Sequence, residues 1–324
     1  MIRVLEGRPG VSVLMFHGLC RSFPAYSGFP GSKTCLLPVD AFSTIVSYCA
    51  RNFDILRLED LDDYLEAGSQ RPAVIFSFDD ALASVIDLGV PVLEAYDASA
   101  AVFVTTSWTD SARTPDIFLL EPALWDRVPV QLKVRFGERE VAFQVDSKQQ
   151  IAEVLNQLWG AMFEDRYPPF LLSSDQVTIN EEPWDRQSMA EDRHFWLPAT
   201  WDELRSAAGQ GTIEIGSHMV DHRPLSWLPD EDILSQLQES RDQLSDRIGL
   251  PVSFSAFPHG QADERTVRMA ESVYRWSFTI EPGQLHIDSA RGAAPRYHVP
   301  SEAPWKIKQM LRWRRLQTKF LGIG

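Results

Sequence analysis

Two adjacent carboxylates, Asp79 and Asp80, close the apolar run Ala73–Phe78, and two imidazoles four positions apart, His218 and His222, follow the apolar run Ile213-Glu-Ile215. Side-by-side acids repel each other and resist removal from water, so a positive partner is expected beside them. A carboxylate with two imidazoles is the donor set of an open divalent metal site. Other apolar runs also end in polar groups: His17 after Val11–Phe16, His259 in Pro258-His259-Gly260 after 252–257, and Arg296 with His298 on 294–299. Each has an ordinary explanation when taken alone. An Asp-Asp pair can cap a helix, a His-x3-His pair occurs without metal, and a lone histidine on an apolar strand is often a satisfied core residue. Their convergence on strand ends is what favours a metal site. His194 and His286 fall in expected loops and read as solvent-exposed.

The runs that carry these residues are short and rich in β-branched or aromatic side chains. They alternate with stretches of helical spacing, the pattern of a parallel α/β sheet or barrel. Helices are expected over 38–52, 58–67, 83–96, 200–209, 231–248 and 263–273, with further strands over 100–104 and 276–280. In α/β barrels reactive groups gather at the C-terminal ends of the strands. The alternation breaks between 110 and 198. There Val130–Phe136 and 141–145 alternate with period two about Gly137, a hairpin with one apolar face. Ser147 then opens a helix bearing Ile151, Val154, Leu155, Leu158 and Met162. The charged stretch 180–193 reads as loop. The chain thus divides into a barrel (1–109 and 199–303), an inserted α+β subdomain (110–198) and a basic C-terminal helix (304–324).

Composition excludes several classes. The 324 residues are 44% apolar and 23% charged, as in a soluble globular protein. A net charge of −14 repels nucleic acid. Three cysteines are too few for a disulfide framework. With no signal-peptide pattern or membrane-length apolar run, the expected compartment is the cytoplasm. The helix over 304–324 holds Lys306, Lys308, Arg312, Arg314, Arg315 and Lys319 and no acid, among Trp305, Met310, Leu311 and Trp313. Peripheral contact with an anionic membrane is an expectation for that helix, against packing on the acidic barrel.

The motifs, ordered along alternating strands, resemble the polysaccharide deacetylases (carbohydrate esterase family 4). That family's Thr-Phe-Asp-Asp-Gly stands here as Ser77-Phe-Asp-Asp-Ala81, its His-Ser/Thr-x-x-His as His218-Met-Val-Asp-His222, and its Phe-Ala-Tyr-Pro-Tyr-Gly as Phe254-Ser-Ala-Phe-Pro-His-Gly260. Val13-Leu-Met-Phe-His17 is similar to the Tyr-His strand of many bacterial members. The resemblance implies a distorted (β/α)7 barrel. It implies that Asp80, His218 and His222 bind a divalent metal, zinc before cobalt, nickel or iron(II), and that Asp79 is the catalytic base. Pro258, His259 and His298 would line the substrate, with the His259 backbone N–H at the oxyanion. His17 is preferred over His298 as the general acid. Arg296 would supply, from the last strand, the arginine that the third motif lacks. Ala81, Met219 and His259 depart from the family's glycine, hydroxyl residue and aromatic ring. The implied reaction removes an N-acetyl group from an amino-sugar-containing substrate. A deformylase or other linear-amide hydrolase, and a non-catalytic carbohydrate-binding barrel, are the rival readings.

Overall fold

The computed structural model describes residues 10–23, 35–68, 71–188 and 195–299. His194 and the expected basic helix over 304–324 lie outside them.

Seven parallel strands form the ring: β1 (Val11–Phe16), β2 (Ala73–Phe78), β3 (Ala100–Val104), β4 (Ile213–Ser217), β5 (Phe254–Ala256), β6 (Trp276–Phe278) and β7 (Tyr297–His298). They pair in the order β6-β5-β4-β3-β2-β1-β7. One segment joins the two ends. Ala294 bridges in parallel to Phe278 of β6, and three residues later Tyr297 and His298 pair with Leu14 and Met15 of β1. The fold is the distorted (β/α)7 barrel that the resemblance implied, built on the α/β alternation read from the runs. The distortion lies in β5, β6 and β7, each three residues long or fewer.

Each strand sorts its residues by parity, because successive side chains point to opposite faces. Val74, Phe76 and Phe78 of β2 join the core that packs against the helices, as do Val102, Val104, Ile213 and Ile215. Ala73 and Ile75 join a second cluster with Val11, Val13, Ala101, Phe103, Phe254, Trp276 and Ala294, which fills the lumen. Gly216 keeps this lumen closed. A Cβ there would lie 2.5 Å from the Phe103 ring. At the far end of the lumen from the strand termini, Glu214 accepts the Leu58 and Glu59 backbone N–H groups at 2.6 and 2.9 Å. Burial pushes its carboxyl above the usual range, against those two bonds.

The outer helices follow the expected spacing, with three differences. The turn before Val90–Ala95 is a π-helix over Val85–Gly89. Pro91 lacks the N–H that an unbroken α-helix would donate there. The helix expected over 58–67 begins only at Leu61. The helix Asp230–Ile248 buries Ile233, Leu237 and Leu244 but also Gln236 and Ser240, two polar residues that an apolar stripe would not place inward. It ends on Gly249 in the left-handed region, as its position predicted.

Between β3 and β4 lies a separate core. Val130–Phe136 and Arg139–Val145 form an antiparallel hairpin, with Val177–Ile179 added on the free side of the first strand. The helix Lys148–Glu164 opens on a reciprocal Ser147/Gln150 capping box and buries Ile151, Val154, Leu155, Leu158 and Met162. The stretch read as a charged loop is partly built in. Glu182–Pro183 pairs with Thr178 and Ile179, and Arg186 is buried against Asp116 and the Thr114 carbonyl. Trp184 and Trp196 are buried in this core as well, Trp196 stacked on Phe118 at 4.1 Å. They are packing residues. Among the described residues no helix is long and apolar enough to cross a membrane.

Candidate metal centre

Parallel strands deliver all their C-terminal ends to one mouth. Lumen-facing parity runs along β2 through Ile75 and Ser77 to Asp79, along β4 through Gly216 to His218, along β1 through Val13 to His17, and along the last segment from Ala294 to Arg296 and His298. Asp80 has the opposite parity. Its backbone, at φ +71, and that of Ala81, at φ +53, turn left-handed, and this swing brings the second carboxylate back to the mouth beside the first. Position 81 is therefore one that favours glycine, which explains the family's choice there. Ala81 accepts the strain and buries its methyl fully in the core.

The two carboxylates have different partners. Asp79 accepts two hydrogen bonds from Arg296, Nη1 to Oδ1 at 2.7 Å and Nη2 to Oδ2 at 2.8 Å. Arg296 is completely buried, its Nε donates to the Thr279 carbonyl at 2.9 Å, and its guanidinium lies 5.4 Å over the Phe103 ring. Burial would raise the Asp79 pKa, but Arg296, aided by His218 and His17, outweighs it and holds the carboxyl below its ordinary value. Asp80 faces imidazoles instead. Its Oδ1 lies 3.3 Å from His222 Nε2 and 3.7 Å from His218 Nε2. Burial again acts upward and is outweighed, here by His222 first, so Asp80 is also held low.

These three residues fit a divalent ion. Their donor atoms all lie within 4.8 Å of one another. Tetrahedral bonds of about 2.0–2.1 Å separate neighbouring ligand atoms by about 3.3 Å, close to the distances seen. The buried Asp80 Oδ1 has no hydrogen-bond partner among the described residues. His218 Nδ1 contacts the Ala256 carbonyl at 2.8 Å, which places its proton on Nδ1 and leaves Nε2 as a lone pair. Burial lowers the His218 pKa to about 4, so the ring is neutral and ready to ligate at neutral pH.

The loop between the histidines is pinned on several sides. Met219 (φ +67) and His222 (φ +61) fold it tightly, setting the two rings 4.7 Å apart. The N–H groups of Thr106 and Ser107 donate to the Met219 and Val220 carbonyls at 3.2 and 2.9 Å, and Gln236 Oε1 accepts the Val220 N–H at 3.0 Å. The hydroxyl missing at Met219 is replaced one residue earlier than the first histidine. Ser217 Oγ accepts the Met219 N–H at 3.1 Å and is itself 2.7 Å from Ser240 Oγ.

His17 and His298 meet at the mouth with ring centroids 6.1 Å apart, and His17 Nδ1 is buried without a hydrogen-bond partner among the described residues. Pro258 and His259 lie on a tight turn with His259 at φ +57. Gly260 is fixed by this turn, at φ +67 and with Ile280 side-chain carbon 2.3 Å from where a Cβ would stand. Burial drives the His259 pKa well below its ordinary value. Its ring lies 4.7 Å from His222 and stacks on Phe170 at 5.6 Å. Every proposed site residue thus reaches the same mouth. Trp108 and Phe170, which contact His222, were not expected there. Their place depends on packing between distant parts of the chain, and nothing in their local sequence signals it.

A family model described as polysaccharide deacetylase matches residues 172–274, a stretch that includes His218, His222, Pro258 and His259. The chain is polysaccharide-deacetylase-like. Among curated proteins, YxkH of Bacillus subtilis (strain 168), whose name places it among the polysaccharide deacetylases, is 28% identical over 101 residues, 31% of this chain and 36% of that protein. Of solved structures, the Streptococcus pyogenes deacetylase PplD superimposes with a TM-score of 0.61 over 94% of this chain and 98% of its own, at 14% identity. The de-N-acetylase of Aggregatibacter actinomycetemcomitans gives 0.57 over 92% and 98%, at 14%. The deacetylase domain of BpsB from Bordetella bronchiseptica gives 0.53 over 90% and 96%, at 19%. At these identities the likeness is one of fold. Members of the deacetylase family are hydrolases of carbon–nitrogen bonds other than peptide bonds and use a divalent metal.

Proposed function

We propose that this protein is a metal-dependent hydrolase that removes an N-acetyl group from an amino-sugar-containing substrate, with zinc as the metal. The observation that carries the reading is the division of labour between two neighbouring carboxylates. Asp80 faces two imidazoles across ligand distances, while Asp79 is bound at both oxygens by Arg296. When bound by Asp80, His218 and His222, a divalent ion supplies Lewis acidity, acidifying a water and polarising an amide carbonyl.

The remaining work falls to the chain. Asp79 stays ionised because Arg296 compensates its burial, and it takes the proton of the attacking water. The two bonds from Arg296 fix the direction of that carboxylate. The backbone N–H of His259 is assigned to the developing oxyanion. His17 gives a proton to the leaving amine, since amide cleavage needs one and an imidazole can hold it near neutrality. His298, one strand away, lines the same side. Screening the zinc-loaded protein against N-acetylated and N-formylated amino sugars, and reading acetate against formate, tests this function. Acetate release supports it. Formate release alone would make the protein a deformylase, and release of neither would favour a binding role.

A further inference from the structure

The two histidines are held in different ways. A metal-ligating imidazole usually donates its second ring N–H to an oxygen, which fixes its rotation. His218 has such a partner in the Ala256 carbonyl. His222 has none among the described residues, although its Nδ1 is buried. Its ring is held by aromatic surfaces instead. Trp108 stacks on it with centroids 5.1 Å apart and planes 18° from parallel, and Phe170 meets it edge-on at 4.4 Å and 77°. Trp108 and Phe170 touch each other at 4.9 Å, and Phe170 is braced from behind by Phe118 at 5.3 Å and Trp159 at 5.2 Å. Trp108 stands on Thr106–Ser111, the helix whose Thr106 and Ser107 N–H groups hold the 219–220 backbone. One helix thus fixes both the loop and one face of its second histidine. Phe170 comes from the segment inserted between β3 and β4.

We infer that Trp108 and Phe170 are the positioning residues of His222, with packing in the place of the missing hydrogen bond, and that the inserted segment is through Phe170 an integral part of the metal site. The inference rests on the metal reading above. It predicts that ligand geometry is lost when the ring of Phe170 is lost, while the barrel stays folded. The effect belongs in metal affinity, in the 10–100-fold range observed when an outer partner of a ligand is removed.

The test is titration of the full-length metal-free protein with cobalt(II), read by its visible absorption and by chelator competition. Phe170→Ala is expected to weaken cobalt binding about 10–100-fold. Leu172→Ala is the control, because Leu172 is buried in the same inserted core. It should lower the melting temperature and leave cobalt affinity within about twofold of wild type. Should Phe170→Ala fail to fold, Phe170→Leu keeps the bulk without the ring edge and is expected to cost about fivefold or more. Unchanged affinity in the Phe170 variant, or an equal loss in Leu172→Ala, overturns the inference and leaves the metal reading standing. A wild-type protein that binds no cobalt overturns both.

Discussion

Removing Arg296 should expose how much of the site depends on one buried cation. Arg296→Met keeps an unbranched side chain of similar length and deletes both bonds to Asp79. Asp79 is then a buried carboxylate without its main partner. Breaking a buried pair by removing one member costs about 3–5 kcal/mol, far more than loss of a surface pair. For a chain of this size that corresponds to roughly 4–7 °C in melting temperature. The direction with pH follows from the sign of the shift. A carboxyl held low in the folded state adds stability above its unfolded pKa, and that stability is lost as pH falls through the folded value. In the variant, burial loses its main opponent and raises the Asp79 pKa. The acidic limb of kcat/KM should therefore move upward, and melting temperature should fall further as pH rises through the new value. Calorimetry across pH and a pH–rate profile measure both. The double variant Asp79→Asn/Arg296→Met should lose about 2–3 kcal/mol less than the sum of the single losses. Strict additivity, or an acidic limb that does not move, would refute the reasoning.

Four other outcomes are expected. Asp80→Asn and His218→Ala should each lose tight metal binding, read by equilibrium dialysis with elemental analysis. Ala81→Gly relieves a left-handed alanine worth about 1–2 kcal/mol but adds backbone entropy and a methyl-sized hole of similar combined cost, so its melting temperature should stay within about 3 °C of wild type. Gly260→Ala meets both the left-handed backbone and Ile280, and should lose about 2–4 kcal/mol in denaturant unfolding. His17→Ala should retain metal and lose most of its turnover; near-normal turnover there, with the loss found in His298→Ala instead, would move the general-acid role to His298.

The barrel was legible because its signal is local. Each strand is a short apolar run, and the polar residue ending it keeps the lumen-facing parity of the run before it, as in Ile75, Ser77 and Asp79. The capping boxes at Ser147 and Thr200 likewise announced their helices. The helix Asp116–Trp125 gave no such sign. Ile117 to Leu120 are all buried, so it has no polar face to set a period. Met219 reads in sequence as a lost hydroxyl, yet Ser217 supplies the bond because the left-handed turn at Met219 brings its N–H back to that oxygen. Trp184 sits in a charged stretch that reads as loop and Trp196 just after it, yet the inserted core buries both. The contacts of Phe170 with His222 join residues 52 positions apart, beyond the reach of any local pattern.

The central claim is that Asp79 does chemistry while its neighbour holds metal. The most direct measurement is acetate release from an N-acetylated amino-sugar oligosaccharide by zinc-loaded wild type and Asp79→Asn, with bound zinc quantified in the same samples. The expected result is turnover by the wild type, and in Asp79→Asn one equivalent of zinc with the rate reduced by at least about a hundredfold. An Asp79→Asn protein that loses its zinc, or one that keeps both zinc and rate, would contradict the account.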